Sequence, residues 1–380
     1  MWLMPMASTV VGAASVRRMF SAWGEHARRL TEHVTVLSTP DNGAYPSGNS
    51  LLIQGAGETV IIDPSITVVD LGVEAPVDAV INSHGHEDHI AGNCAFPDAR
   101  IHIHHDDLPV TRSVEALMAL TESTPEEHPD LKQQYLEEFH YEPRPDAEGY
   151  ADGAVWDLGG VSVEAVHLPG HTAGHCGLRI SEGVFFLSDI DLTGFGPYYG
   201  DVFSSLEQFE ESLIRVRDEE AEVYVTFHHK GVIEGRETFL ELLDAFHAVI
   251  ARRHDNMLAF LAEPHTLDEM VEHRFVYRPH VEMSIVDRVE RRTAELHVAR
   301  MLDRGEAAIK ELSMTKAYAV QVGYKAVDRA MQTHGAMGFT NELGLYHAWH
   351  ALRVVNVADG TNEILNRTIA QRLIKGDRDL

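Results

Sequence analysis

Four candidate metal ligands lie within six residues in His84-Gly85-His86-Glu87-Asp88-His89, directly after the apolar, strand-like run Ala79-Val80-Ile81. Imidazole nitrogen and carboxylate oxygen are the donors that borderline cations such as zinc accept. A sharp turn at a strand end can aim alternate side chains at one ion and the rest at a second, and Gly85 eases that turn. The fold must therefore end a strand on a preorganised site.

Further candidates follow, each where an apolar strand gives way to a loop. Thr59-Val60-Ile61-Ile62 ends in Asp63-Pro64, and Leu168-Pro169-Gly170-His171-Thr172-Ala173-Gly174-His175 comes after the first cluster. Val184-Phe185-Phe186-Leu187 ends in Ser188-Asp189, and Val223-Tyr224-Val225-Thr226 ends in Phe227-His228-His229-Lys230.

Taken in this order, the motifs resemble the metallo-β-lactamase superfamily, whose signature is HxHxDH. The resemblance implies an α/β fold, an αββα sandwich with a C-terminal helical region. It puts His84, His86 and His171 on one metal and Asp88, His89 and His228 on the other, with Asp189 bridging. His229 stays open as an alternative to His228, because the family has a single histidine flanked by glycines there. Asp191 competes with Asp189, although the strand end favours the earlier residue, and Asp63 would orient a ligand. Two zinc ions are expected. Iron and manganese are alternatives for the same donors, though His86 matches the hydrolytic branch and not the diiron members, which carry glutamate there.

Such a site supports hydrolysis, since two close divalent ions lower the pKa of a shared water and polarise the carbonyl under attack. Asp88 and Asp189 are the candidate catalytic residues, Asp88 orienting the nucleophile. Tyr198 and Tyr199 would line the mouth, donate to an oxyanion, or pack within the domain. The substrate expected is a small molecule, with thioesters such as acyl-CoA or acyl-glutathione first, and Lys230, Arg236, Arg252 and Arg253 are the nearest cations in sequence. Lactones, phosphoesters and β-lactams are the other options.

Not all 24 histidines are ligand candidates. Ile101-His102-Ile103-His104-His105 alternates like a half-buried strand, which predicts His102 and His104 on its exposed face. His167 and His175 are expected to pack or to support a ligand. The net charge of −28 argues against nucleic acid and anionic membranes as partners, and no apolar run reaches membrane-span length. Two cysteines, Cys94 and Cys176, make no disulfide framework and point to a reducing, cytoplasmic setting. Met1 to Leu30, with four arginines and the single acid Glu25, also resembles an organelle transit peptide.

The expected organisation is an N-terminal extension over 1–32, a metal domain over 33–235 and a helical tail over 236–305. Residues 306–380 form a last segment of different character. Asp106 to Asp152 forms a polar insertion with two helical stretches, read as a lid or as a passive surface excursion. Glu237 to Ala262 predicts a helix, and Thr266-Leu267-Asp268-Glu269 a capping box. The last segment, with Met331-Gln332-Thr333-His334-Gly335 and Asp359-Gly360-Thr361-Asn362-Glu363, resembles the C-terminal helical end of acyl-CoA dehydrogenases. There Asp359 matches the place of a catalytic glutamate. Most of that family's flavin-holding structure has no counterpart in this sequence, so FAD is not expected. The helix from Glu306 to His334, with Leu312, Ala319, Val320, Gly323, Val327 and Ala330 on one side, needs a packing surface. Docking on the metal domain, self-association or an acyl-CoA dehydrogenase partner would supply it, and a fusion remnant is the alternative. The competing functional class is an oxidoreductase, through iron in the same site or flavin shared with a partner.

Overall fold

The computed structural model describes residues 22–374 except 40, 264, 284, 306–308 and 359–360. Residues 1–21 of the transit-peptide reading and Asp359 thus fall outside the described residues, as does the burial of Leu312.

The chain forms two compact units, residues 1–257 with 265–296, and residues 258–264 with 297–380. The first is built on two sheets. One runs β1 (Ala27–Arg29), β2 (Val34–Leu37), β3 (Ser50–Gln54), β4 (Thr59–Ile62), β5 (Ala79–Ile81), β6 (Arg100–His104), β7 (Glu148–Tyr150) in spatial order. The other contains β8 (Val155–Asp157), β9 (Ser162–His167), β10 (Cys176–Ile180), β11 (Val184–Ser188), β12 (Val223–Thr226) and β13 (Val232–Glu234), also neighbours in sequence order. Strands β4 to β7 are parallel, as are β11 and β12, and the remaining pairs are antiparallel.

Period-two alternation explains the layering. Val34, Leu51, Ile53, Val60, Ile62 and Ile81 of the first sheet share one core with Val163, Leu178, Val184, Phe186 and Val225 of the second. The intervening residues face outward: Leu52, Ile61 and Val80 pack with Val68 and Trp23, while Phe185, Leu187 and Tyr224 pack with Phe209, Leu213, Phe239 and Phe246. Helices cover both outer faces, which makes the arrangement αββα. Trp23 is buried and β1 pairs with β2 through Ala27↔Leu37. The sheet therefore starts before His33 and takes in part of what reads as an extension.

The Asp106–Asp152 segment carries three short helices, Leu108–Arg112, Val114–Ala119 and Pro129–Glu137. Leu117, Met118, Tyr135 and Phe139 of the segment bury a common core with Ile90 and Ile103, so this segment is anchored directly behind the Glu87–Ile90 turn. His102 and His104 depart from the expected exposed face, being 7% and 6% exposed. The physical reason is that this face of β6 meets the second sheet: Trp156 of β8 lies against His102, and His167 of β9 stacks on His104 at 4.1 Å. The helix Arg236–Phe260 and the capping box at Thr266–Glu269 form as the sequence predicts.

In the second unit the long helix Ile309–His334 packs on Leu345–Val355 and Asn362–Ile374. Ser313, Ala317, Val320 and Met331 are its buried stripe, and Gly323 lets Leu352 come close. Ala319, expected on that stripe, is exposed. No helix among the described residues is long and apolar enough to cross a membrane.

Candidate metal centre

Every expected ligand sits just past a strand end on one edge of the sandwich. His84 and His86 follow β5, Asp88 and His89 lie in the short helix Glu87–Ile90, His171 follows β9, Asp189 follows β11 and His228 follows β12. Ser188 turns β11 sharply with a left-handed backbone at φ 53°. Gly85 is required for space and not for φ, since a Cβ there would stand 2.3 Å from Val110 Cγ2.

Two groups result: His84, His86, His171 and Asp189, and Asp88, His89 and His228, with the donor atoms of each group within 4.8 Å of one another. In the first, His86 Nδ1 lies 3.0 Å from His84 Nε2 and 2.9 Å from His171 Nε2. In the second, His228 Nε2 is 3.0 Å from Asp88 Oδ2. Asp189 spans both, with Oδ2 3.1 Å from His171 Nε2 and Oδ1 2.9 Å from His89 Nε2. His229 is exposed beside this array, and Asp191 bonds through Oδ1 to the amide and hydroxyl of Thr193. Burial pushes the Asp191 carboxyl up to about 6.

The donor set fits cations. Asp88 Oδ2, His89 Nε2 and Asp189 Oδ1 are buried without a hydrogen-bond partner among the described residues, although other polar atoms crowd them. Buried polar atoms are almost always hydrogen-bonded, and a converging orphaned set of imidazole and carboxylate is what a divalent ion satisfies. Burial would raise the Asp189 carboxyl, but His89 and His228 outweigh it and hold the group well below the usual range.

Each of the five histidines is fixed by its far nitrogen. His84 Nδ1 meets Ser83 Oγ at 3.1 Å, His89 Nδ1 meets Asp63 Oδ2 at 2.8 Å, His171 Nδ1 donates to the Tyr198 carbonyl at 3.0 Å, and His228 Nδ1 to the Gly43 carbonyl at 2.6 Å. His86 is the exception in using Nδ1 inward; its Nε2 lies 2.9 Å from Asp201 Oδ2. Burial pushes the His86 imidazole down, and the Asp201 bond and charge carry it up to about 9. Asp201 is in turn paired with Arg288 from the helix Val286–Arg304 and lies 3.3 Å from the Tyr198 hydroxyl. Asp201→Ala is expected to weaken ion binding by about 10- to 100-fold, the usual scale for an orienting carboxylate. Zinc titration against a competing chelator reads this, and unchanged affinity would refute the role.

His175 supports the bridge from behind. Its Nδ1 donates to the Leu168 carbonyl, and its Nε2 accepts from the Asp189 amide at 3.3 Å. Burial, reinforced by His171, pushes its imidazole down to about 3, which keeps that nitrogen an acceptor. Phe227, where the family has glycine, stacks on the His89 ring at 3.7 Å, and Gly48 supplies the room, since a Cβ there would lie 1.9 Å from the phenyl ring. Tyr199 is buried in the core, whereas the Tyr198 ring stands 5.6 Å from His171. Sequence reading passed over Asp201, which holds His86, and Asp107, whose carboxylate accepts from the Gly85 and Gly174 amides, for no spacing ties either to the ligand motifs.

The fold and site define an αββα protein with candidate metal-binding residues split into two groups at one edge. Residues 45–229 match the metallo-beta-lactamase superfamily, and residues 245–374 match the acyl-CoA dehydrogenase C-terminal domain. The chain carries a metallo-beta-lactamase superfamily domain followed by an acyl-CoA dehydrogenase C-terminal domain, the second beginning inside the helix Arg236–Phe260. A hydroxyacylglutathione hydrolase from Aeromonas salmonicida is 25% identical over 42% of this chain and 52% of its own length. A 3-(aryl)acrylate reductase from Clostridium sporogenes is 33% identical over 21% of each chain. The chain thus spans about half of the one and a fifth of the other. A metallo-beta-lactamase family protein from Thermus thermophilus shares the fold, with TM-score 0.54 and 21% identity over 73% of this chain and 95% of that one.

Proposed function

We propose that this protein is a dinuclear zinc hydrolase that cleaves thioesters, acyl-CoA first and acyl-glutathione second. The observation that carries this is the division of the Asp189 carboxylate between the two groups, one oxygen to each. Two divalent ions held there would lower the pKa of a shared water and polarise the attacked carbonyl. The chain's own part is preorganisation: His84, His86, His89, His171 and His228 are locked by outer bonds, so little reorientation accompanies reaction. Asp88, set between His89 and His228, is placed to hold the proton of the attacking water. The Tyr198 hydroxyl is committed to Asp201, which makes its ring a wall of the site.

The thioester reading draws on the similarity to a hydroxyacylglutathione hydrolase, and the acyl-CoA preference on the domain that follows. Plasma mass spectrometry of purified protein is expected to find about two zinc per chain. A thioester panel should then show metal-dependent turnover that chelation removes. Protein that neither carries nor takes up metal would overturn the proposal. Faster turnover of a lactone, phosphodiester or β-lactam would displace the thioester alone.

The helical second unit is proposed as a surface for self-association or for an acyl-CoA dehydrogenase partner. Tyr318, Phe339 and Ile374 are 73%, 68% and 82% exposed, and Val357 and Ile364 are exposed as well, an unusual display for an isolated unit. Light scattering on the purified chain should give a mass above 42.3 kDa; a strict monomer that also fails to bind such a partner would refute this.

A further inference from the structure

A cleft of about 450 Å³ opens in the first unit between the helix Arg236–Phe260, the loop at Gly194–Phe195 and the segment 275–281. Its volume is that of a small-molecule site. In a chain with 59 acidic residues and a net charge of −28, none of the residues lining it is Asp or Glu. Arg252, Arg278, Asn256 and His280 line it instead, with Phe195 and Tyr277 as a contacting aromatic pair, centroids 5.4 Å apart and planes inclined by 58°. Among the described residues the guanidinium groups of Arg252 and Arg278 have no hydrogen-bond or ion-pair partner, so both remain available to a ligand.

The walls are held in place by other groups. Glu290, fully buried, accepts from the successive amides of Phe275, Val276 and Tyr277 at 2.8, 3.0 and 2.7 Å. Arg274 gathers the carbonyls of Arg278, Pro279 and Val281. Arg253 donates to the Phe195 and Pro197 carbonyls and lies over the Phe195 ring. The same loop continues to Tyr198, whose carbonyl receives His171 Nδ1. One side of the cleft is therefore the segment that also orients a candidate ligand.

We propose that this cleft binds the nucleotide end of an acyl-CoA substrate, a phosphorylated adenosine, with Arg252 and Arg278 on phosphate and the base against the exposed face of the Phe195–Tyr277 aromatic pair. Guanidinium forks pair with phosphate oxygens, and a base stacks on aromatic faces without needing a sequence-like code. The assignment rests on the thioester-hydrolase reading of the neighbouring centre.

Isothermal titration of adenosine 3′,5′-bisphosphate into the full-length, metal-loaded protein tests it without relying on turnover. Saturable binding is expected, weakened at least 10-fold in Arg252→Glu and in Arg278→Glu, with partial recovery in the lysine variants. Metal content and thermal midpoint serve as the control for folding, and Asn256→Ala is the second probe if an arginine variant misfolds. No binding, equal affinity for inorganic phosphate, or binding indifferent to all these changes would overturn the proposal. Acyl-CoA and acyl-pantetheine hydrolysed with the same KM, in protein that ignores the nucleotide, would remove the cleft and leave the hydrolase. Nucleotide binding in protein that hydrolyses no thioester would do the reverse.

Discussion

Asp189→Ala is expected to disable both ion groups together. Its Oδ2 sits 3.1 Å from His171 Nε2 and its Oδ1 2.9 Å from His89 Nε2, so one truncation removes a donor from each. Bound zinc should fall from about two per chain to one or fewer, and metal-dependent turnover by about 100- to 1,000-fold or more, the scale of one preorganised electrostatic contact. Asp191→Ala is the matched comparison. That carboxylate serves a turn at Thr193, and its loss should leave zinc content at the wild-type level. His228→Ala against His229→Ala makes the same contrast at the last motif, since His228 is buried beside Asp88 and His229 is exposed. Retention of two ions and full turnover by Asp189→Ala, or equal losses from Asp191→Ala, would refute the bridging role.

The candidate ligands were legible because each is a chemically conspicuous residue at the end of an apolar run, and strand ends are where a sheet presents side chains to a site. Asp63 was legible for the same reason; its carboxylate holds His89 and the Ser83 amide. The residues that hold the other histidines were not. His86 is oriented from Asp201, more than a hundred residues onward, and His228 from a backbone carbonyl at Gly43, which has no side chain to notice. Period-two alternation also misplaced His102 and His104, because it reports which residues share a face and not what covers that face. Trp156 and His167 cover it here. The C-terminal helix shows the complementary limit: its stripe predicts a packed side, yet Ala319 lies outside it and Ser313 inside.

Asp107→Ala should cost more stability than any other single change around the site that leaves the candidate ligands in place. The buried Asp107 carboxylate accepts from the Gly85 amide at 3.0 Å, the Thr172 hydroxyl at 2.6 Å and the Gly174 amide at 2.8 Å. It therefore ties the loop of His84 and His86 to the loop of His171, and Gly174 approaches so closely that a Cβ there would stand 2.8 Å from Asp107 Oδ1. Truncation strands three buried neutral donors at about 1–3 kcal/mol each, so a loss of roughly 3–5 kcal/mol is expected after partial relaxation. Asn is a poor rescue, since its amide N–H groups would face donors on one side. Urea unfolding must be measured on chelator-treated protein, because ions binding only the folded state would mask the difference by mass action. Zinc affinity of the variant should fall as well, since the first group loses the strut that keeps its two loops in register. A variant within about 0.5 kcal/mol of wild type, the range of ordinary surface changes, would show that the loops hold their places without Asp107.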